Sequence, residues 1–120
     1  MNILLADTQT VGELEDTIFE MTQNSPVSAL VTLANRGTAN TMNYRFQQLV
    51  AGIWLDLASL GDLDNLNGTL SPGQVKAVLV ASAYPQVQLV GNASGGTELE
   101  FGVTRYYPRA DGAPLPILSL

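Results

Sequence analysis

The segment TELEFGVTRYY, residues 97–107, decides the fold class. Within it, apolar side chains occupy every second position and polar side chains lie between them: Leu99, Phe101 and Val103 against Glu98, Glu100 and Thr104. A period of two places alternate side chains on opposite faces of a β-strand. The segment therefore predicts an antiparallel strand with one buried face and one face in water.

The preceding sequence repeats this pattern. Residues 41–47 alternate Met42, Tyr44 and Phe46 with polar side chains. Further strands are expected near residues 17–22, 27–34, 53–57 and 86–89. Residues 71–74, Ser-Pro-Gly-Gln, place proline second and glycine third, as a type II turn requires. Six or seven short strands divided by glycine and proline predict an all-β, antiparallel two-sheet sandwich.

One strand has no polar face. Residues 75–83 are small and apolar on both faces, apart from Lys76 and Ser82. A strand without a polar face suits the middle of a sheet that is covered on both sides. We therefore predict a central strand here.

The two ends of the chain read differently from its middle. We expect the sandwich domain to span residues 17–107, with an N-terminal arm at residues 1–16 and a C-terminal arm at residues 108–120. The N-terminal arm mixes helical spacing with strand-forming residues, so we predict an irregular segment. Three prolines exclude regular structure from most of the C-terminal arm, which is nevertheless apolar.

Composition excludes several classes of function. The chain has 120 residues, 46% of them hydrophobic, which fits one domain with one core. It has no cysteine and no histidine, so disulfides, thiolate nucleophiles and Ser-His-Asp catalysis are excluded. Its net charge of −6 argues against nucleic acid or an anionic membrane as partner. We expect no signal peptide and no membrane-spanning segment.

Motifs for chemistry are equally scarce. Asp62 and Asp64 resemble the start of a calcium loop, but Leu66 and Gly73 stand where later ligands belong. The Glu98 and Glu100 pair lies on the wet face of a strand, where solvated carboxylates are normal. We therefore expect no enzyme, no metal site and no cofactor.

Aromatic side chains leave one alternative open. Trp54, Tyr84, Tyr106 and Tyr107 could form a patch that stacks on sugar rings, which would make the chain a carbohydrate- or cell-surface-binding module. Packing in the core or at a subunit interface explains the same residues more simply, because no regular spacing places them on one face.

The order of the strand and turn motifs carries a family resemblance. The motifs are NRGTAN (35–40), NYRFQ (43–47), WLDL (54–57), LSPG (70–73), VQLVGNASGG (87–96) and ELEFGVTRY (98–106). Together they resemble small immunoglobulin-like β-sandwich proteins of tailed-phage virions. The resemblance implies an immunoglobulin-like sandwich of about seven strands. It also implies a non-enzymatic capsid decoration (cement) protein, or a tail or neck accessory.

The same resemblance implies partners and a location. They are the major capsid protein and further copies of this chain, as a homotrimer or another homo-oligomer. The protein would be made in the host bacterial cytoplasm and placed on the outer capsid surface. Relatives often carry Asp-Gly before the tryptophan, where this chain has Val50-Ala51-Gly52.

Contact residues are expected in the apolar arms and at the arginines. Residues 1–24 carry five acids and no base, whereas residues 25–53 carry two arginines and no acid. The two stretches could attract each other within a chain or between copies. The predicted interface residues are Ile3, Leu4, Leu5, Arg36, Arg45, Tyr107, Leu115, Ile117, Leu118 and Leu120.

Overall fold

A computed structural model describes residues 3–22, 27–57, 66–82, 85–105, 107–108 and 114–115. These residues contain strands and turns but no helix. The strands are β1 (Ile3–Val11), β2 (Asp16–Thr22), β3 (Val27–Asn35), β4 (Met42–Val50), β5 (Ile53–Asp56), β6 (Asn67–Leu70), β7 (Val75–Ser82), β8 (Gln86–Ala93), β9 (Thr97–Arg105), β10 (Tyr107–Pro108) and β11 (Pro114–Leu115).

Nine of these strands form two antiparallel sheets that pack face to face. Sheet I has the order β1-β9-β3-β7, and sheet II has the order β2-β8-β4-β5. The short strand β6 also pairs with β4. Because β8 occupies one side of β4, β5 and β6 follow one another along its other side. The predicted all-β sandwich is confirmed.

The connectivity is that of one long hairpin wound on itself. In chain order, the first of these nine strands pairs with the last, the second with the last but one, and so on inward: β1 with β9, β2 with β8, β3 with β7, and β4 with β5 and β6. Successive pairs fall alternately in sheets I and II. This is a jelly-roll arrangement. In the immunoglobulin fold the first two strands lie side by side in one sheet. Here β1 and β2 lie in different sheets, so the immunoglobulin-like connectivity was wrong.

The core lies between the two sheets and is apolar. Phe19 of sheet II stacks on Phe101 of sheet I with ring centroids 5.0 Å apart. Offset aromatic stacking at this spacing is favourable beyond the area that it buries. The largest fully buried side chains are Phe46, Leu33, Met42, Leu66, Leu70, Leu89, Leu99, Val31, Val78, Val80 and Val87. The period-two pattern thus predicted correctly which faces of β4 and β9 are buried.

Two predictions about the ends and edges of the sandwich were wrong. The irregular N-terminal arm is instead β1, a nine-residue strand at the edge of sheet I. Its mixed sequence suits an edge strand, because β1 meets a neighbour on only one side. The strand predicted at residues 75–83 is likewise an edge strand, β7, rather than a central one. In the C-terminal arm, Tyr107 pairs with Leu115 and Pro108 with Pro114 in a two-residue ladder.

The predicted turn at residues 71–74 is present. Gly73 has a φ of 80°, and the Gln74 amide donates to the Ser71 carbonyl at 2.9 Å. Positive φ at the third position is what a type II turn requires. The β4–β5 hairpin turns through Ala51 and Gly52, whose φ values are 52° and 81°. Two positive φ values give the twist that a two-residue hairpin needs.

A buried asparagine holds one end of the sandwich together. Asn35 is fully buried, and its Nδ2 donates to the carbonyls of Asn40 and Leu70, both at 2.9 Å. Its Oδ1 accepts from the Gly37 amide at 3.0 Å and from Thr97 Oγ1 at 2.6 Å. Every polar group of the side chain is therefore partnered. These bonds tie the β3–β4 connection to β6 and β9, and so fix the ends of both sheets.

Candidate functional site

The acidic stretch and the arginine stretch of the sequence come into contact at Arg45, on the outer face of sheet II. Arg45 Nε donates to Glu15 Oε2 at 2.9 Å, and Nη2 donates to Glu15 Oε1. Nη1 donates to both carboxylate oxygens of Asp56 at 3.1 Å. The hydrogen bond to Glu15 is the main cause of a raised pKa at Arg45, despite some opposing desolvation. The attraction between the acidic and arginine stretches is thus satisfied within one chain here.

Glutamines extend this network across sheet II. Gln47 Nε2 donates to Asp56 Oδ1 at 2.9 Å, and Gln88 Nε2 donates to Gln47 Oε1 at 2.7 Å. Thr17 Oγ1 donates to Gln88 Oε1 at 3.1 Å. Both glutamines are buried although they lie on the outer face, because each has a paired strand on either side. We call this hydrogen-bonded row, Glu15–Arg45–Asp56–Gln47–Gln88–Thr17, the polar ladder.

The remaining predicted interface residues are scattered. Arg36 is exposed and pairs with Glu100 of β9, with nitrogen–oxygen distances of 2.8 Å. Ile3, Leu4 and Leu5 belong to β1, and Tyr107 pairs with Leu115 in the ladder of β10 and β11. Ile117, Leu118 and Leu120 lie outside the described residues. The described residues of this set therefore belong to separate elements of the fold.

The described residues offer little chemistry. They contain no group of three or more acidic side chains placed to hold a metal ion. Glu98 and Glu100 lie on the outer face of β9, where Glu100 is used by Arg36. Asp62 and Asp64 lie outside the described residues. No helix in the described part of the chain has the length and apolar character needed to cross a membrane.

Of the four residues of the predicted aromatic patch, Trp54 is the one whose side chain the structure describes. Trp54 is half-buried on the outer face of β5, opposite Leu49 and two residues from Asp56. It therefore lies on the same face of sheet II as the polar ladder, next to Asp56 along β5. Tyr84 and Tyr106 lie outside the described residues.

Two shallow hollows lie among the loops that join the sheets. One, of about 470 Å³, is bordered by the β1–β2 connection, including Glu13, Leu14 and Asp16. The other, of about 430 Å³, is bordered by Arg36, Asn40 and the β8–β9 turn. Pockets for small molecules combine an apolar lining with converging polar groups. Because Leu14 is 86% exposed and Arg36 is already paired, neither hollow has that character.

An uncharged, apolar surface lies on the outside of sheet I. Val78 and Val80 of β7 point into the core, so the alternate residues of β7 point outward. Val75 is 60% exposed and Leu79 is 46% exposed. We call the outward-facing set the apolar face: Leu30 of β3 and Val75, Ala77, Leu79 and Ala81 of β7.

Register places these residues side by side. Leu30 pairs with Leu79, and Ala77 pairs with Thr32. The small Gly102 follows on β9 opposite Thr32, so this row of the sheet is uncharged across three strands. The sequence did not reveal this surface, because the apolar residues of β7 predicted burial on both sides of the sheet. The apolar composition of β7 is visible in the sequence, but its position at the edge of the sheet leaves its outer residues exposed.

No protein-family model matches the chain, and no curated protein matches it significantly.

Proposed function

We propose that this chain is a non-enzymatic structural protein of a tailed-phage virion, which decorates the outer capsid surface and stabilises the shell through subunit contacts. The observation that carries the proposal is the apolar face. Its partner is the major capsid protein, with neither nucleic acid nor membrane involved. The host bacterial cytoplasm is where the protein is made before it joins the capsid.

The apolar face has the properties of a protein contact surface. Monomeric soluble proteins rarely expose contiguous apolar patches larger than about a few hundred Å², and such patches commonly mark contact sites. The core of a protein interface is depleted of charge, and the apolar face contains none. The net charge of −6 resides elsewhere, which keeps free copies soluble before they bind.

Two further considerations support the proposal. The jelly-roll arrangement occurs in viral capsid and lectin domains, although fold alone is only an analogy for function. The order of the strand and turn motifs resembles virion proteins, whereas the jelly-roll connectivity differs from the immunoglobulin-like one that this resemblance implied. Neither point distinguishes a capsid position from a tail or neck position, so imaging of labelled virions would decide between them.

A sedimentation experiment tests shell binding. Shells are assembled in bacteria from the major capsid protein encoded in the same genome and spun with the purified chain. We expect the chain to sediment with the shells and Leu30→Lys to weaken this binding about 100-fold, because lysine places a charge inside the contact. Leu14→Lys is the matched control, since Leu14 is exposed far from the apolar face. Absence of co-sedimentation, or equal losses in both variants, contradicts the proposal.

A second function is favoured by Trp54 and the polar ladder. Amides, carboxylates and an arginine beside a half-buried indole are the groups that bind sugars. A glycan array, followed by titration of indole fluorescence, tests this carbohydrate-binding alternative. Binding that disappears in Trp54→Ala and persists in Leu30→Lys would replace the capsid proposal.

A further inference from the structure

Three of the four sheet edges carry features that discourage pairing. At β1, Asp7 Oδ1 accepts from the Thr8 amide at 2.8 Å, and the register with β9 shifts between Ile3 and Leu5. At β2, Asp16 Oδ1 accepts from the Thr17 amide at 2.8 Å, and the register with β8 shifts after Thr17. The other edge of sheet II is formed by two short strands in succession, β5 and β6, of four residues each. Charges, irregularities and short strands are the usual protections of an edge.

The edge of β7 has neither an irregularity nor a short strand, and its one protection of this kind is an inward-facing lysine. Its eight residues run in unbroken register with β3, and no described strand pairs with its other side. Its one charged side chain is Lys76, which lies on the inner face with its ammonium 5.5 Å from the centre of the Tyr44 ring. Along the described β7 edge, alternate residues therefore offer backbone N–H and C=O groups beside uncharged side chains.

We propose that β7 pairs antiparallel with β7 of a second copy of this chain, which joins two copies of sheet I into one continuous sheet. This inference deepens the proposed function, since it names the self-contact by which the structural protein assembles. Pairing through a strand edge gains main-chain hydrogen bonds together with side-chain contacts on both faces. A two-fold axis between the two paired strands makes the interface closed, so it stops at a dimer.

A second copy fits this edge better than an unrelated chain. Each copy carries a net charge of −6, so two copies repel unless they meet through uncharged surface. On the outer face, an antiparallel β7 pair brings together only the uncharged residues Val75, Ala77, Leu79 and Ala81. The Asp7 and Asp16 carboxylates exclude β1 and β2 as equivalent partners, because each already caps an edge amide. The strand that matches β7 is therefore β7 itself.

Self-pairing would also enlarge the apolar face. Leu30 and Leu79 are neighbours on one copy, and the two-fold axis at β7 places the second copy's apolar face directly alongside. The pair then presents the apolar faces of both copies on the same side of one continuous sheet. The edge would thus serve contact between copies, whereas the face would serve contact with the shell.

Light scattering after size exclusion tests the dimer without any shell present. As the protein concentration rises from about 1 to about 500 μM, a range suited to a small interface, we expect the measured mass to rise from that of one chain to that of two. Leu79→Lys should raise the dissociation constant about 100-fold, since it places two like charges across the axis. Leu14→Lys carries the same change at a distant exposed leucine and should dimerise normally. Circular dichroism and thermal melting verify that both variants fold.

A cysteine scan tests the geometry of the contact. The natural chain has no cysteine, so a single introduced thiol can form a disulfide only between copies. Ala77→Cys, Leu79→Cys and Ala81→Cys place it along the outer face of β7. Moving two residues along an antiparallel pair changes the separation of equivalent atoms by about 14 Å, whereas a disulfide needs α-carbons within about 7 Å. We expect one variant to cross-link strongly and the others weakly.

The outcomes separate this inference from the proposed function. A monomer at every concentration, a trimer, a dimer unaffected by Leu79→Lys, or equal cross-linking at all three positions overturns β7 pairing. If the chain sediments with shells but remains a monomer, the proposed function stands without this dimer. If it dimerises through β7 but ignores shells, the pairing stands and the capsid proposal fails.

Discussion

Strands β7 and β8 show how sheet position can reverse the meaning of a sequence. The sequence of β7, VKAVLVAS, is almost entirely apolar, yet Val75 and Leu79 are exposed. The sequence of β8 alternates valine and leucine with glutamine at its start, yet Val87, Gln88, Leu89, Val90 and Gly91 are all buried. A hydrophobicity pattern alone would assign the wet face to β8 and the dry faces to β7.

The difference arises from neighbours in the sheet. β8 lies between β2 and β4, so side chains from both sides cover its outer face. Gln88 can be buried there because Thr17 and Gln47 satisfy its amide. β7 has β3 on one side only. Its outer residues stay exposed for lack of neighbours, and their apolar character then becomes available for contact.

The largest expected effect contrasts the two faces of β7. Val78 is 1% exposed, so Val78→Asp should lower the free energy of unfolding by more than about 4 kcal/mol, because it buries an unpaired carboxylate. Leu79→Asp, one residue further, should change it by only about 0.5 kcal/mol in dilute protein. Urea denaturation measures both. Similar losses would mean that β7 is covered on both sides after all.

The next effect tests whether the buried glutamine of β8 depends on its partners. Gln88→Ala should lower the free energy of unfolding by about 2 kcal/mol, since it leaves the buried Gln47 carbonyl without its donor. Gln86→Ala, on the same face but half-buried, should cost less than about 0.5 kcal/mol. Urea denaturation measures both losses, with the unfolding midpoints compared at a common m-value. A loss confined to Gln86→Ala would contradict the role given to the polar ladder.

A smaller effect compares the ion pairs of the two sheets. Arg45→Ala should cost about 1 kcal/mol, discounted for the 38% exposure of the side chain, because Arg45 joins two carboxylates. Arg36→Ala removes a pair exposed by about half and should cost about 0.3 kcal/mol. In 1 M salt, where screening acts over about 3 Å, both losses should shrink. Salt-independent losses would indicate packing rather than charge.

This arginine should not give the protein a pH dependence. Hydrogen bonding to Glu15 raises the pKa of Arg45, so its contribution is fully present below the usual arginine pKa and is lost only as pH rises through the still higher folded value. Its ionisation therefore stays outside the working range.

The smallest effect concerns the cation held away from the open edge. Lys76→Met should cost about 0.5 kcal/mol, since it removes the contact between the ammonium and the Tyr44 ring. Dimerisation should not change, because Lys76 lies on the inner face. Lys76→Arg, which keeps a cation, is the control, and light scattering with urea denaturation provides both readouts. A strengthened dimer in Lys76→Met alone would show that the ammonium reaches the open edge.

Local features were predictable where side chains alternate or a turn has fixed chemistry. The strands β4 and β9 follow from their period of two, and the turn at Pro72 and Gly73 follows from its requirement for positive φ. The interface residues were less accessible to sequence reasoning. Arg45 was selected for contact between copies, yet Glu15 and Asp56 of its own chain hold it. Sequence spacing does not reveal which acid a fold brings to an arginine.

By itself, the sequence determined the class of secondary structure and the buried faces of β4 and β9. These properties depend on residue type and on neighbours along the chain. The tertiary structure decided that β1 pairs with β9, that β8 is enclosed and that β7 is an open edge. Such properties depend on contacts between residues far apart in the chain, which period-two alternation leaves unspecified because it fixes a strand's faces and not its neighbours.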